Sequence, residues 1–547
     1  MNDILENMAR RISSGLKRKS LTSCSRWAEA CRVMGRPFPG PWSFLHHPWL
    51  KDMHDSESEM NIGQKSAQMG YTEWALNTTF FNIDVKGIDC LYILPAKTPD
   101  ASDFSAARFD PALELSPHLT NMFSDVKNVG HKRAGTTNLY IRGSRARAGL
   151  KSVPVGLIIL DEVDEMTQEN IPLATERVAG QVEKKILAIS TPTLPETGIN
   201  KMYNESTQEH FFFRCPCCSR HTELVFPACL EMVGETVNDP RIVESFLKCK
   251  ECGGKLIQET KHEWLKGATW VPSFADRYSR GFHVNQLYSC TVSPAHITRK
   301  YLRSLSDPSE EQELYNSTFG LPHIVSGAQI SDADINQCIG TYKKNSIQPT
   351  KIVTLGVDVG KFLHYEVDEW ILGNYVGSDI HMEATCRIID FGKLLHFEEL
   401  DKLMRTFRVQ ACVIDANPER RAALQFANKF FGFVKTCFYG MGINGKEIHV
   451  SQQEDHTISV DRTSWLDLSL GRYKRKTIEV PMDFDIEYRN HLKALVRVYK
   501  KDKDGNPTGR YENGNKEDHY AHARNYAEIA LQFATSMMQS QNMQSPV

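Results

Sequence analysis

The chain has no uninterrupted apolar run of membrane-spanning length, so its sequence predicts no bilayer-crossing helix. It also has almost no net charge: 65 Lys and Arg stand against 67 Asp and Glu, for −2 over 547 residues. That balance excludes a uniformly basic nucleic-acid coat while leaving room for local basic tracks. No repeat of fixed period and no long low-complexity tract occurs, which excludes a solenoid. A secretory leader is missing before the 14 cysteines, several of which sit inside apolar stretches such as RVQACVID; a reduced, cytosolic protein is expected. The N-terminal cluster RRISSGLKRK has the Arg and Ser content of a transit peptide, but Asp3 and Glu6 flank it, and a basic surface helix is the plainer reading.

The length exceeds what one core usually supports and predicts roughly three or four domains. Residues 1–58 read as a helical region followed by a Pro-rich entry, with LTSCSRWAEACRVMG offering Thr22 or Ser23 as cap and Gly35 as stop. From 59 to 210 short apolar strand candidates (CLYILPA, NLYIRG, GLIILD, KKILAIST) alternate with helical stretches, the pattern of a parallel sheet covered by helices. Clustered cysteines mark 211–260 as an insertion, and 261–345 reads as a connecting segment. A second α/β pattern fills 346–538, before a frayed tail at 539–547.

Another absence is more telling. Phosphate loops ordinarily end Gly-Lys-Ser/Thr, yet IGQKSAQMGYTEW carries Gly70-Tyr71-Thr72 there, with its only lysine, Lys65, at the opposite end. A helix opening near Gly70 still offers backbone N–H groups to an anion. Lysine acts as a flexible point charge, so Lys65 can fold back over Ser66, Ala67, Gln68 and Met69 to reach the β- and γ-phosphates. Thr72 is placed to ligate Mg²⁺. Downstream, LIILDE forms a buried strand whose carboxyl edge presents Asp161 for the Mg²⁺ shell and Glu162 to orient or deprotonate the attacking water. Taken alone, such a strand is about as often just one that ends in two solvated acids.

Together, QKSAQMGYT, YILPAKTPDASDFSAARFDPAL, SRARAGLKSVPVGLIILDEVDEM and ISTPT resemble, in order and spacing, the lambda-type phage terminase large subunits (the terminase GpA-like family), motors that package DNA into phage heads. That family's loop carries its lysine at the start. The resemblance extends to SRWAEACRVMGRPFPGPWSFLHHPWL, GFHVNQLYS and LYNSTFGLP, and so covers most of the chain. It implies that Ser190, Thr191 and Pro192, in the STPT turn ending at Thr193, couple hydrolysis to DNA movement, and that Trp49 contacts adenine. It also makes Arg142, Arg145 and Arg147 candidates for an arginine finger given to a neighbouring subunit; a loop touching DNA phosphates is the alternative.

Two Cys-x-x-Cys pairs, Cys215/Cys218 and Cys249/Cys252, are a strong signal for a closed, structural Zn²⁺ site, with Cys217 an extra thiol that either replaces Cys218 or points away. In the last region TLGVDVG ends a strand at Asp358, ACVIDAN ends another at Asp415, and KEDHYAH opens the closing helix with Asp518. First strand, fourth strand and last helix is the order of a ribonuclease H-like nuclease, which cuts phosphodiesters with two cations held by converging carboxylates. Glu366 is a candidate additional ligand, and His522, four residues after Asp518, shares its helix face. Two stretches that interleave Lys/Arg with tyrosine, GRYKRKTIEVP and RVYKKDKDGNPTGRY, are candidate DNA tracks, the second a hairpin turning at Asp504-Gly505-Asn506-Pro507.

The expected fold class is therefore α/β: a P-loop (ASCE-type) ATPase domain with a parallel sheet, a zinc-ribbon-like insertion and a C-terminal RNase H-like nuclease. The expected cofactors are ATP, Mg²⁺, Mg²⁺ or Mn²⁺ at the nuclease, and Zn²⁺. The resemblance implies double-stranded DNA, a small terminase subunit, the portal protein of the procapsid and a homo-oligomeric ring as partners, no membrane, and the host cytoplasm as location. Two other classes stay open on the sequence: a helicase- or repair-type ATPase with an inactive nuclease-like domain, and a non-catalytic zinc-ribbon scaffold.

Overall fold

Strands buried on both faces by helices need near-continuous apolar sequence, and CLYIL and LIIL supply it. In the computed structural model, which describes residues 22–123, 126–151, 153–373, 379–440, 443, 445–454, 456–501 and 507–543, these runs lie at the centre of the larger of the two main sheets. The basic cluster RRISSGLKRK, Asp504, Gly505, Asn506 and the last four residues fall outside the described residues. The chain divides into two units, Met1–His323 and Ile324–Val547.

In the first unit seven strands run parallel, in the order Glu209–Arg214, Arg280–Val284, Met60–Lys65, Lys185–Ser190, Leu157–Asp161, Cys90–Leu94 and Thr137–Gly143. Antiparallel strands extend both edges. Lys185–Ser190 separates the strand ending in Lys65 from the strand ending in Asp161, the order that defines the ASCE class. The carboxyl ends of all three therefore open on one edge, where ligands bind in such sheets.

Three expectations change. The first described helix stops at Cys31, because Val33–Met34 pair with Gly40–Pro41 as a short ribbon; Ser23 caps it and Gly35 plays no part. Residues 261–323 are no mere connection, since Arg280–Val284 is a strand of the main sheet beside the Lys65 strand. The closing helix, His519–Met543, runs past the expected start of the tail.

The second unit centres on a sheet ordered Ile448–Val450, Thr457–Val460, Val434–Tyr439, Ala411–Asp415, Ile352–Val359, Leu363–Ile371, Thr385–Leu394 and Ile478–Glu479. Its first three strands in sequence form an antiparallel meander, and the fourth pairs parallel with the first, the ribonuclease H-like arrangement. The closing helix crosses the sheet face closely enough that a Cβ on Gly356 would come within 2.0 Å of Ala523 O, so only glycine fits there. Thr354 Oγ1 donates to Ala527 O (2.9 Å) and fixes the crossing. Among the described residues no helix is long and apolar enough to cross a membrane.

Candidate active sites

The strand Met60–Lys65 runs straight into a turn, Ser66–Gly70, and then the helix Tyr71–Phe81. Gln68 and Gly70 take left-handed backbone (φ 63° and 82°), which bends the turn over the helix N-terminus. At Gly70 any other residue would be strained. Lys65 Nζ lies 2.7 Å from Glu162 Oε1 and 3.3 Å from Asp161 Oδ1. Burial disfavours the ammonium, but the two carboxylates outweigh it and hold Lys65 above the ordinary lysine range. Asp161 Oδ2 accepts the Tyr92 hydroxyl (2.7 Å), which orients it. Glu162 sits at φ 65°, a rare conformation for a non-glycine and the kind of local strain found at working sites.

A cavity of about 410 Å³ opens here, lined by residues 65–73, Glu162 and Thr191, with Phe38, Trp42, His46 and His47 on its other side. The Phe38 and His46 rings stack at 4.1 Å. Trp49 does not take part: it is fully buried against Phe211 and Tyr288, and its indole N–H supports the loop from behind by donating to Met69 O (2.9 Å). Its bulk is needed in the core, and the aromatic lining comes from residues just before it. Tyr71 is likewise buried, so it offers the cavity backbone more than its ring.

Sequence reasoning missed what braces the loop. Ala67 N–H donates to Ser317 O (2.7 Å), Gln286 Nε2 to Ala67 O (2.9 Å), Gln64 Nε2 to Gly320 O (2.9 Å), and Ser66 Oγ to Val284 O (3.0 Å). These partners lie in GFHVNQLYS and LYNSTFGLP, which carry no local chemical signal. Arg108, exposed in SAARF, also lines the cavity and was not anticipated.

The two turns beside the cavity are joined. Asp164 accepts Thr193 N–H (2.7 Å) and Ile199 N–H (2.8 Å), while its own N–H donates to Ser190 Oγ (3.1 Å). Burial pushes Asp164 up to about 6 even against these donors. Of the arginine candidates, Arg142 donates to Gly130 O and Ile141 O, Arg147 donates to Asn170 Oδ1, and Arg145 is exposed. None of the three lines the cavity of its own chain.

The cysteine pairs converge on two matching turns. Cys215 N–H bonds Arg220 O and Cys249 N–H bonds Gly254 O. The sulfurs of Cys215, Cys218, Cys249 and Cys252 all lie within 4.8 Å of one another, with Cys215 and Cys252 at 4.0 Å. Tetrahedral zinc with Zn–S bonds of about 2.3 Å needs sulfurs about 3.8 Å apart, so the set fits. The N–H groups of Cys217, Glu251 and Gly254 point at the sulfurs of Cys215, Cys249 and Cys252, which eases their ionisation, while burial pushes the Cys215 thiol up to about 12. Cys217 faces Lys255 O instead.

In the second unit Asp358, next to last in its strand, and Asp415, last in the adjacent parallel strand, lie at the same sheet edge. Burial pushes Asp415 up to about 6, and the Asp358 charge adds to it. Asp518 stays below its usual range: burial is outweighed by His522, 3.4 Å away, and by Arg462. His522 also holds the Tyr439 hydroxyl (2.9 Å), so it positions Asp518. Asp358 Oδ2 meets His519 Nδ1 at 2.8 Å.

Glu366 is not part of this group. It is fully buried two residues deeper on its strand, bonded to Tyr488 and to Arg524 (3.1 Å), in a network that also contains Asp368, Glu528 and Arg472. A buried carboxylate needs such partners, and they leave none of it for a cation. Arg472 is equally buried, which removes it from the basic tract; Lys474, Arg475 and Lys476 remain exposed. The second tract does form a hairpin, Val496–Lys501 against Pro507–Glu512.

Comparison with known proteins agrees with this geometry. Residues 37–270 match the family model "Phage terminase large subunit gpA, ATPase domain", and residues 279–373 match "Terminase large subunit gpA, endonuclease domain". The second match includes Asp358 but stops before Asp415 and Asp518. No curated protein matches. The large terminase of bacteriophage HK97 is similar in structure, at 11% identity and TM-score 0.50, over 93% of this chain and 99% of that one. The large terminase of the thermophilic bacteriophage D6E aligns over 91% and 100% at 11% identity and TM-score 0.31. With an ATPase domain and an endonuclease domain matched in series over most of its length, the chain belongs to the phage terminase large-subunit family and is a DNA-packaging motor with an endonuclease.

Proposed function

We propose that the first unit translocates double-stranded DNA by hydrolysing ATP in the Lys65–Glu162 cavity, and that the second cuts concatemeric DNA with two divalent cations. The observation that carries the reading is the meeting of Lys65, Asp161 and Glu162 at the carboxyl edge of a parallel sheet, beside a helix N-terminus. On nucleotide arrival Lys65 turns from Glu162 to the β- and γ-phosphates, and the freed Glu162 orients the attacking water. Thr72 and Asp161 hold the Mg²⁺ that comes with ATP. The stacked Phe38 and His46 form the base side. Ser190, Thr191 and Pro192 pass the loss of the γ-phosphate to the DNA-moving parts, with Asp164 as the link. Arg142, Arg145 or Arg147 serves a neighbouring subunit's site.

Asp358, Asp415 and Asp518 hold the nuclease cations, Mg²⁺ or Mn²⁺, which neutralise the scissile phosphate and activate water when bound. Cys215, Cys218, Cys249 and Cys252 hold a structural Zn²⁺. The working form is a ring on the portal of the procapsid in the host cytoplasm, directed by a small subunit, and full nuclease activity requires that assembly. The test is ATP turnover by the full chain with and without linear duplex DNA. DNA-stimulated hydrolysis that Glu162→Gln abolishes supports the reading; hydrolysis indifferent to both DNA and Glu162→Gln overturns it.

A further inference from the structure

Two histidines, His364 and His519, stand beside Asp358. His364 is the cross-strand partner of Asp358, held by the tight connection between Ile352–Val359 and Leu363–Ile371. His519 is the first residue of the closing helix. One ligand atom from each of Asp358, His364 and His519 lies within 4.8 Å of the others. The two imidazoles stack with centroids 4.6 Å apart and planes at 11°. His364 is 4% exposed; its ring feels the Phe362 backbone, but its Nδ1 is buried without a well-formed hydrogen bond. A buried nitrogen left so calls for an explanation, an ion among them. His491 stands 5.7 Å from His364 and 5.8 Å from His519, closing the far side with a third imidazole.

We propose that Asp358, His364 and His519 hold one divalent cation through one carboxylate and two imidazoles, and that this position selects a first-row transition ion over Mg²⁺. The inference rests on Asp358 being a nuclease ligand and adds the identity of its partners. Two metal–nitrogen bonds of about 2.1 Å place ligand atoms up to about 4.2 Å apart, so closing from 4.8 Å takes only side-chain rotation. Imidazole suits borderline ions such as Co²⁺ and Zn²⁺ best and Mn²⁺ more weakly, whereas Mg²⁺ keeps oxygen ligands and several waters. Asp415 and Asp518, all-oxygen donors, remain for the second cation. The site thus holds two unlike positions.

The test uses full chain carrying Zn²⁺ at its cysteine site, from which a weak chelator has first stripped any metal held outside the four thiolates. Mn²⁺ binding is followed by loss of the free-ion electron paramagnetic resonance signal, with Mg²⁺ as competitor, and Co²⁺ binding by its visible absorption. The expected result is one Mn²⁺ that Mg²⁺ displaces only in large excess, Co²⁺ bands of nitrogen–oxygen coordination, and about tenfold or greater weakening of both in His364→Ala and in His519→Ala. His519 is one-third exposed, so its removal opens no core cavity. Unchanged Mn²⁺ affinity in both variants, or equal displacement by Mg²⁺, overturns the proposal. Plasmid cleavage by Asp415→Asn separates this from the nuclease reading. Cleavage that needs Asp415 while Mn²⁺ binding ignores both histidines refutes only the histidine site. Histidine-dependent Mn²⁺ binding with Asp415→Asn cutting as fast as the wild type refutes only the nuclease assignment.

Discussion

Lys65 Nζ sits 2.7 Å from Glu162 Oε1, so the displaced lysine of the phosphate loop and the carboxylate expected to direct water already share one ion pair. Lys65→Ala is predicted to abolish ATP turnover, with ATP affinity falling at least about tenfold for loss of a direct phosphate contact. Turnover and nucleotide binding measured side by side check this. The fold should survive, because Asp161 keeps its Tyr92 hydrogen bond.

Asp164 accepts one N–H on each carboxylate oxygen. Asp164→Asn turns an amide NH₂ toward one of those donors and should cost about 1–3 kcal/mol. The pH dependence has a definite sign. The folded carboxyl is raised from the ordinary aspartate range to about 6, so its stabilising contribution is complete below pH 4 and fades as pH rises through about 6. The stability gap between wild type and Asp164→Asn should therefore narrow between pH 4 and pH 7 in thermal melts; a gap that widens would contradict the assignment.

Glu366, Asp368, Arg524, Glu528 and Arg472 form a fully buried ionic network. Removing one partner strands the others, so Arg524→Met should destabilise the second unit by about 3–5 kcal/mol, read from denaturant unfolding. Glu366→Gln should leave Mn²⁺ binding unchanged, whereas a Glu366 that ligates metal would lose it.

The cysteine set should hold one zinc per chain by elemental analysis. Cys218→Ser or Cys252→Ser should lose the metal and lower the melting temperature, because ligation stabilises the folded turns directly. Cys217→Ser should do neither, since that thiol faces Lys255 O.

Much of both candidate sites was legible because carboxylates at strand ends and paired cysteines announce themselves locally. Asp161, Glu162, Asp358 and Asp415 all end apolar runs, and the structure places each at its sheet edge. What escaped depends on tertiary burial. Trp49 and Glu366 have suitable chemistry, but their surroundings turn them into core and network members. Ser317, Gly320 and Gln286 support the loop mostly through backbone or amide contacts, which leave no mark in composition or periodicity. His364 became visible only once strand register set it opposite Asp358.

Plasmid cleavage with Mn²⁺, measured beside ATP hydrolysis for wild type, Glu162→Gln and Asp358→Ala, shows whether one chain carries two distinct catalytic sites. Asp358→Ala should abolish cutting and spare ATP turnover, while Glu162→Gln should do the reverse. Neither substitution changing either activity would contradict both site assignments.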